Sequence, residues 1–230
     1  MNFIEISSPE PVVAEITRTL AKHLTAGEKV TWLVPGGSSI IIVARVSQNL
    51  VAENLSLENL SVTLTDERYG YVGNPDENWF QLDQAGFSLP GATTYRVLQS
   101  GLDRDQTTEK YAEALESLLT NSDFNIGFFG IGADGHTAGI KPHMIDMDTE
   151  SFATSYRGAD YERITMTPRA IGLLNRIYVY AMGNEKASAL REFYNEDILP
   201  AEQPAQVLKQ VADLTLYTDV DILYDKEEQL

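Results

Sequence analysis

Two stretches, FNIGFF at Phe124–Phe129 and IYVYA at residues 177–181, are apolar at nearly every position. A strand without polar alternation is one covered on both faces, and such strands belong to parallel sheets lying between helices. The remaining patterns agree. Strand-like runs at residues 3–6, Val30–Val34, 62–65, 93–98 and 214–217 alternate with amphipathic runs at 11–24, 40–50, 105–120 and 185–194, and a short helix is expected at Asn78–Gln84. Alternating β and α segments predict an α/β fold, an open and mostly parallel sheet covered by helices. No repeat, low-complexity tract or linker divides the 230 residues, so a single domain over 1–230 is expected.

In open α/β sheets, ligands bind beyond the carboxyl ends of the strands. Four polar sequences follow strand-like runs here: PGGSS at 35–39, DER at 66–68, GADGHTAG at 132–139 and GNEK at 183–186. In PGGSS, Gly36 and Gly37 let backbone N–H groups approach an anion, Ser38 adds a hydroxyl, and the following helix contributes its N-terminal dipole. The same five residues also read as a tight turn with Ser38 or Ser39 capping the helix. No GK[ST] follows, so this is not a nucleotide-binding P-loop.

His136 lies among glycines in a polar loop. Histidine changes charge near neutral pH and suits a general base. Asp134, two residues earlier, either orients the imidazole or caps a following helix. Gly130, Gly132 and Gly135 formally satisfy the dinucleotide fingerprint G-x-G-x-x-G, but Gly139 and Pro142 interrupt the helix which that motif should open. The match is therefore read as chance, with a nicotinamide-dependent oxidoreductase kept only as a third alternative. Asp134, His136, His143, Asp146 and Asp148 match no metal-ligand spacing, and no metal is expected. His23 falls on an amphipathic helix and reads as surface.

Charge narrows the choice of partner. Seventeen basic against 34 acidic residues give a net charge of −17, a field that repels nucleic acid and anionic lipid. An anionic small molecule would need a local cationic cluster, for which Arg68, Arg163 and Lys186 are the candidates. Absence of cysteine excludes disulfides and thiolate chemistry. With no signal peptide or apolar span in the sequence, a cytoplasmic location is expected.

Taken together, GIGADGHTAGIKP, TLTDERYG with the following NPDENWF, and RITMT…NRIYVYAMGNEKASAL resemble the 6-phosphogluconolactonase and glucosamine-6-phosphate isomerase/deaminase family, in order and approximate spacing. QPAQVLKQVADLTLYTDVD resembles the family's C-terminal strand and helix. The resemblance implies a three-layer α/β/α sandwich with a Rossmann-like sheet, a phosphorylated sugar as ligand, no cofactor, and a monomer or small homo-oligomer. In the lactonase branch, the histidine matching His136 activates water to open 6-phosphogluconolactone, a step of the pentose phosphate pathway. Phosphate would lie near Gly37, Ser38, Arg68 and Lys186, with Arg163 as a further contact. Asp66 matches the deaminase's base. The deaminase loop continues DGHIAFNEP, however, and its Glu position is Lys141 here, which cannot supply a carboxylate. The chain also departs from the usual lactonase pattern at Pro35, Ser39, Ile40, Gly139 and Lys141. A non-catalytic sugar-phosphate sensor is therefore a further alternative to the lactonase.

Overall fold

A computed structural model describes residues 1–223; the last seven residues of the expected domain lie outside the described residues. Seven strands form one parallel sheet: β1 (Asn2–Glu5), β2 (Val30–Val34), β3 (Leu60–Leu64), β5 (Thr93–Tyr95), β6 (Phe124–Phe129), β9 (Arg176–Tyr180) and β10 (Asp213–Thr218). Their order is β1-β10-β9-β6-β2-β3-β5, and every pairing is parallel. The central strands are those with unbroken apolar sequence. β2 is buried at all five positions and β6 at five of six.

Right-handed crossovers then sort the helices. The chain moves one way across the sheet from β1 to β5, so α1 (Glu10–Thr25), α2 (Ile40–Ala52) and α3 (Asn78–Gln84) share one face. Contacts of α1 with α2 and of α2 with α3 agree. From β5 to β10 the chain moves back, placing α4 (Arg104–Asn121), α5 (Pro168–Ile171) and α6 (Ala187–Asn195) opposite. The expected three layers result. Trp32, Phe128, Tyr178 and Leu33 are among the large side chains fully enclosed between them, each stabilising the fold by about 1.5–3 kcal/mol. α4 opens on a capping box: Asp103 accepts from the Gln106 N–H at 2.8 Å and donates its own N–H to the Gln106 side chain at 3.0 Å.

Three elements differ from expectation. The strand at 93–98 ends at Tyr95, because its one neighbour, β3, pairs only through Ser61–Thr63; Val97 and Leu98 enter the core as loop. The helix expected from 185 begins as a 3-10 turn at Asn184–Lys186 and becomes α6 at Ala187. A second sheet was not anticipated. In it β4 (Asp66–Arg68), β8 (Glu162–Met166) and β7 (Ala153–Arg157) pair antiparallel in the order β4-β8-β7. Thr65 joins the two sheets: its N–H donates to Val34 at 2.8 Å, and its carbonyl accepts from Met166 at 3.1 Å.

Candidate active site

The connections of the large sheet diverge between β2 and β6, the topological switch point where open α/β sheets form their binding crevice. A cleft of about 360 Å³ opens there, lined by residues from all four polar sequences. From the β2 loop come Gly36, Gly37 and Ser38; from β4, Asp66 and Arg68; from the β6 loop, His136; from β8, Arg163; and from the β9 turn, Lys186. Asp134 is outside the lining but holds the His136 ring.

The β2 loop makes a 3-10 turn over Gly37–Ser39 and runs directly into α2. No side-chain cap bond forms at the start of α2, so neither Ser38 nor Ser39 takes the capping role. The Ile40 N–H that opens α2 donates to the Gly37 carbonyl, and it is the preceding turn, residues 36–39, that lines the cleft at the N-terminal end of this thirteen-residue helix.

The β6 loop is tightly built. Thr137 Oγ1 donates to Gly130 at 2.8 Å, Gly132 N–H to His136 at 3.0 Å and Ile140 N–H to Thr137 at 2.7 Å. From the small sheet, Thr165 Oγ1 donates to the Ala138 carbonyl and the Tyr156 hydroxyl to the Gly139 carbonyl. No helix follows Asp134. Its Oδ1 instead accepts the His136 N–H at 3.2 Å and bonds the ring Nδ1, which is the orienting role of the two expected. Partial burial favours the neutral acid, but the His136 hydrogen bond and charge prevail and lower the Asp134 carboxyl below its usual range. An ionised Asp134 fixes the proton on Nδ1 and leaves Nε2 as the basic nitrogen.

Two glycines in this loop are spatial requirements. A Cβ on Gly132 would run into the imidazole of His136, and one on Gly139, whose φ is +67°, would run into the Asp66 carboxylate. Gly139, a departure from the lactonase pattern, thus leaves room for Asp66 at the cleft floor.

Asp66 and Glu67 illustrate the alternation of a strand. Asp66 faces the cleft; burial raises its carboxyl, while the Thr65 hydroxyl, at 3.0 Å, and the charges of Arg163, His136 and Arg68 pull it down less strongly. Glu67 points into the protein and is completely buried. It accepts N–H bonds from Asn78 (2.7 Å), Arg68 (2.7 Å) and Trp79 (3.1 Å), joining β4 to the start of α3. Burial still dominates these bonds and, with the neighbouring Asp66, pushes Glu67 up to about 8.

Arg68 and Arg163 are directly opposite one another in the β4–β8 register. Tyr161 lies against both, its ring centre 4.8 Å from the Arg68 guanidinium and 5.4 Å from that of Arg163. Sequence reasoning missed Asp160 and Asn78 in the lining; it placed Lys141 near the ligand as a departure from the family pattern, but not among the cationic candidates. The Asn78 side chain packs on Gly36 and donates to the Asp66 carbonyl at 3.0 Å, clamping two of the cleft-forming segments together. Only the signature NPDENWF hinted at it. Asp160 carried no local signal, and the pairing of Lys141 with it was not legible, because both depend on the unforeseen small sheet. His143 bonds the Ala201 carbonyl through its N–H at 2.8 Å, and Asp146 accepts from the Asp148 N–H at 3.0 Å; none of the three lines the cleft. His23 stacks on Phe124 at 3.7 Å between centroids, remote from the cleft in the fold and partly buried rather than free on the surface. No described helix is long and apolar enough to cross a membrane.

Fold and site together define a doubly wound α/β protein with a cationic cleft and a histidine–aspartate pair at its switch point. Residues 8–217 match the family described as glucosamine-6-phosphate isomerases/6-phosphogluconolactonase, and the chain belongs to it. A 6-phosphogluconolactonase of Haemophilus influenzae is 23% identical over 215 residues, covering 91% of this chain and 92% of that one. A glucosamine-6-phosphate deaminase of Bacillus cereus is 23% identical over 243 residues, covering 97% and 88%. The crystal structure of a 6-phosphogluconolactonase from Shewanella baltica superposes with a TM-score of 0.80 at 19% identity, over 95% of this chain and 97% of that one, and shares the fold.

Proposed function

We propose that this protein hydrolyses 6-phosphogluconolactone to 6-phosphogluconate, with His136 as general base. The observation that carries the reading is the Asp134–His136 pair at the edge of a cleft rich in cationic groups. With Nδ1 engaged by Asp134, His136 Nε2 takes a proton from water as its oxygen attacks the lactone carbonyl carbon. The tetrahedral intermediate collapses by breaking the bond from that carbon to the ring oxygen. The ring oxygen leaves as a hydroxyl, taking the proton back from Nε2, and the new carboxylic acid ionises in water. Gly36, Gly37, Ser38, Arg68, Arg163 and Lys186 would seat the phosphate, using N–H groups at the α2 terminus and charge-assisted bonds. No step in this scheme calls for a metal or an organic cofactor.

Asp66 favours a second reading, since it lies within the charge influence of His136 and matches the base of the deaminase branch. Lys141 opposes it, because the carboxylate of the deaminase loop has no counterpart there. Purified protein given 6-phosphogluconolactone should open it well above the spontaneous rate. Wild-type protein no more active than His136→Ala would end the lactonase reading, and ammonia release from glucosamine 6-phosphate would replace it with the deaminase. Binding of phosphorylated sugars with turnover of neither substrate would mark a sensor instead.

A further inference from the structure

The four cationic side chains lining the cleft are not equivalent. Arg68 and Lys186 have no carboxylate partner among the described residues, whereas Arg163 and Lys141 share one, Asp160. Arg163 Nη1 and Nη2 donate to Asp160 Oδ1 and Oδ2 at 2.6 and 2.8 Å, and Lys141 Nζ donates to Oδ2 at 3.4 Å. This two-point fork is the geometry by which guanidinium recognises carboxylate and phosphate alike. The two partners differ in mobility. The Arg163 side chain is 10% exposed and anchored by strand register, while Asp160 is 43% exposed on the turn joining β7 to β8. Asp160 thus has solvent beside it to turn into, whereas Arg163 is held in β8.

We propose that Asp160 is an internal anion which occupies the Arg163–Lys141 seat and must be displaced by the phosphate group of the ligand, so that it sets the affinity an anion must exceed to enter the cleft. Displacing this tethered monoanion weakens every ligand by the same factor; a doubly charged phosphate, which brings twice the charge to the fork, still binds, and a weak free carboxylate does not. Asp160 therefore screens out unphosphorylated sugar acids. This inference deepens the reading of the cleft as a sugar-phosphate site, but it concerns the seat and not the reaction.

Inorganic phosphate at pH 8 and gluconate serve as probes, with binding followed by calorimetry on the full chain. Asp160→Asn should bind phosphate roughly fivefold more tightly, the equivalent of one exposed ion pair removed from competition. Gluconate should gain by the same factor, because the competitor removed is the same for both anions. Asp160→Glu should stay close to wild type, and in Arg163→Met the further change Asp160→Asn should produce no gain. Unchanged or weaker phosphate binding by Asp160→Asn, with an unaltered melting temperature, would overturn the proposal and leave Asp160 as a support for Arg163. If these gains appear without lactone turnover by wild-type protein, the seat stands and the lactonase reading falls.

Discussion

The seven-stranded and three-stranded sheets contribute to the cleft in different ways. The central strands of the large sheet, β2, β6 and β9, are buried almost throughout, so they offer chemistry only where they end. What they supply comes from loops: the α2 terminus after β2, His136 after β6 and Lys186 after β9. The small sheet has one face toward the cleft, and its alternation allows charged side chains to project from within the strands themselves. Asp66, Arg68 and Arg163 all do so, while Glu67 and Ile164 on the intervening positions are buried. One sheet thus presents the Asp134–His136 pair at the end of a strand, and the other fixes Asp66, Arg68 and Arg163 by register. Thr65, bonded to both, keeps the two contributions in fixed relation.

This division predicts different kinetic consequences for the two sheets. His136→Ala, in a loop of the large sheet, should lower kcat for lactone opening by roughly 10²–10⁴, the usual contribution of a general base, with KM little changed. A rise in KM alone would assign His136 to binding and collapse the contrast.

The next effect is on stability. Glu67 has its folded-state value raised from 4.5 to about 8. Between these values the folded protein retains a proton that the unfolded chain has lost, so this group's contribution to stability is fully present below pH 4.5. It is lost as the pH rises toward 8, by on the order of 4–5 kcal/mol at full expression. Chemical denaturation across that window should show a fall with pH that Glu67→Gln removes. A rise with pH attributable to Glu67 would mean that its three N–H donors outweigh burial.

Arg68→Met, in the small sheet, should raise KM roughly 10–150-fold, the loss of one or two charge-assisted hydrogen bonds, with kcat nearly intact. A kcat effect equal to that of His136→Ala would show that the small sheet acts on the reaction and not only on the ligand. Smallest should be Tyr161→Leu. It removes the ring shared by Arg68 and Arg163, interactions of about 0.5–1 kcal/mol each at exposed sites, and should raise KM only a few-fold. No change would show that strand register alone aligns the two guanidinium groups.

The large sheet was legible because its information is local. An apolar run such as FNIGFF can be satisfied only by cover on both faces, and Val30–Val34, Asn78–Gln84 and Phe124–Phe129 occur with the bounds that the pattern gives. The polar residues after those runs were equally visible, since charge has no place within such strands. All the expected phosphate-binding residues do line one cleft, and Asp134 reaches it through His136.

The small sheet was hidden because its strands are short and of mixed polarity, and β4 lies far in sequence from the β7–β8 hairpin that it joins. Tertiary structure alone decided that Arg68 would face Arg163, that Asp66 would enter the cleft while Glu67 bonded the start of α3, and that Asp160 would pair with Arg163 and Lys141. Sequence by itself determined the layered α/β fold and the loop that carries His136, because burial and chain continuity are properties of neighbouring residues. Which charges meet depends on strand register between distant segments, and that is settled only when the two sheets are joined.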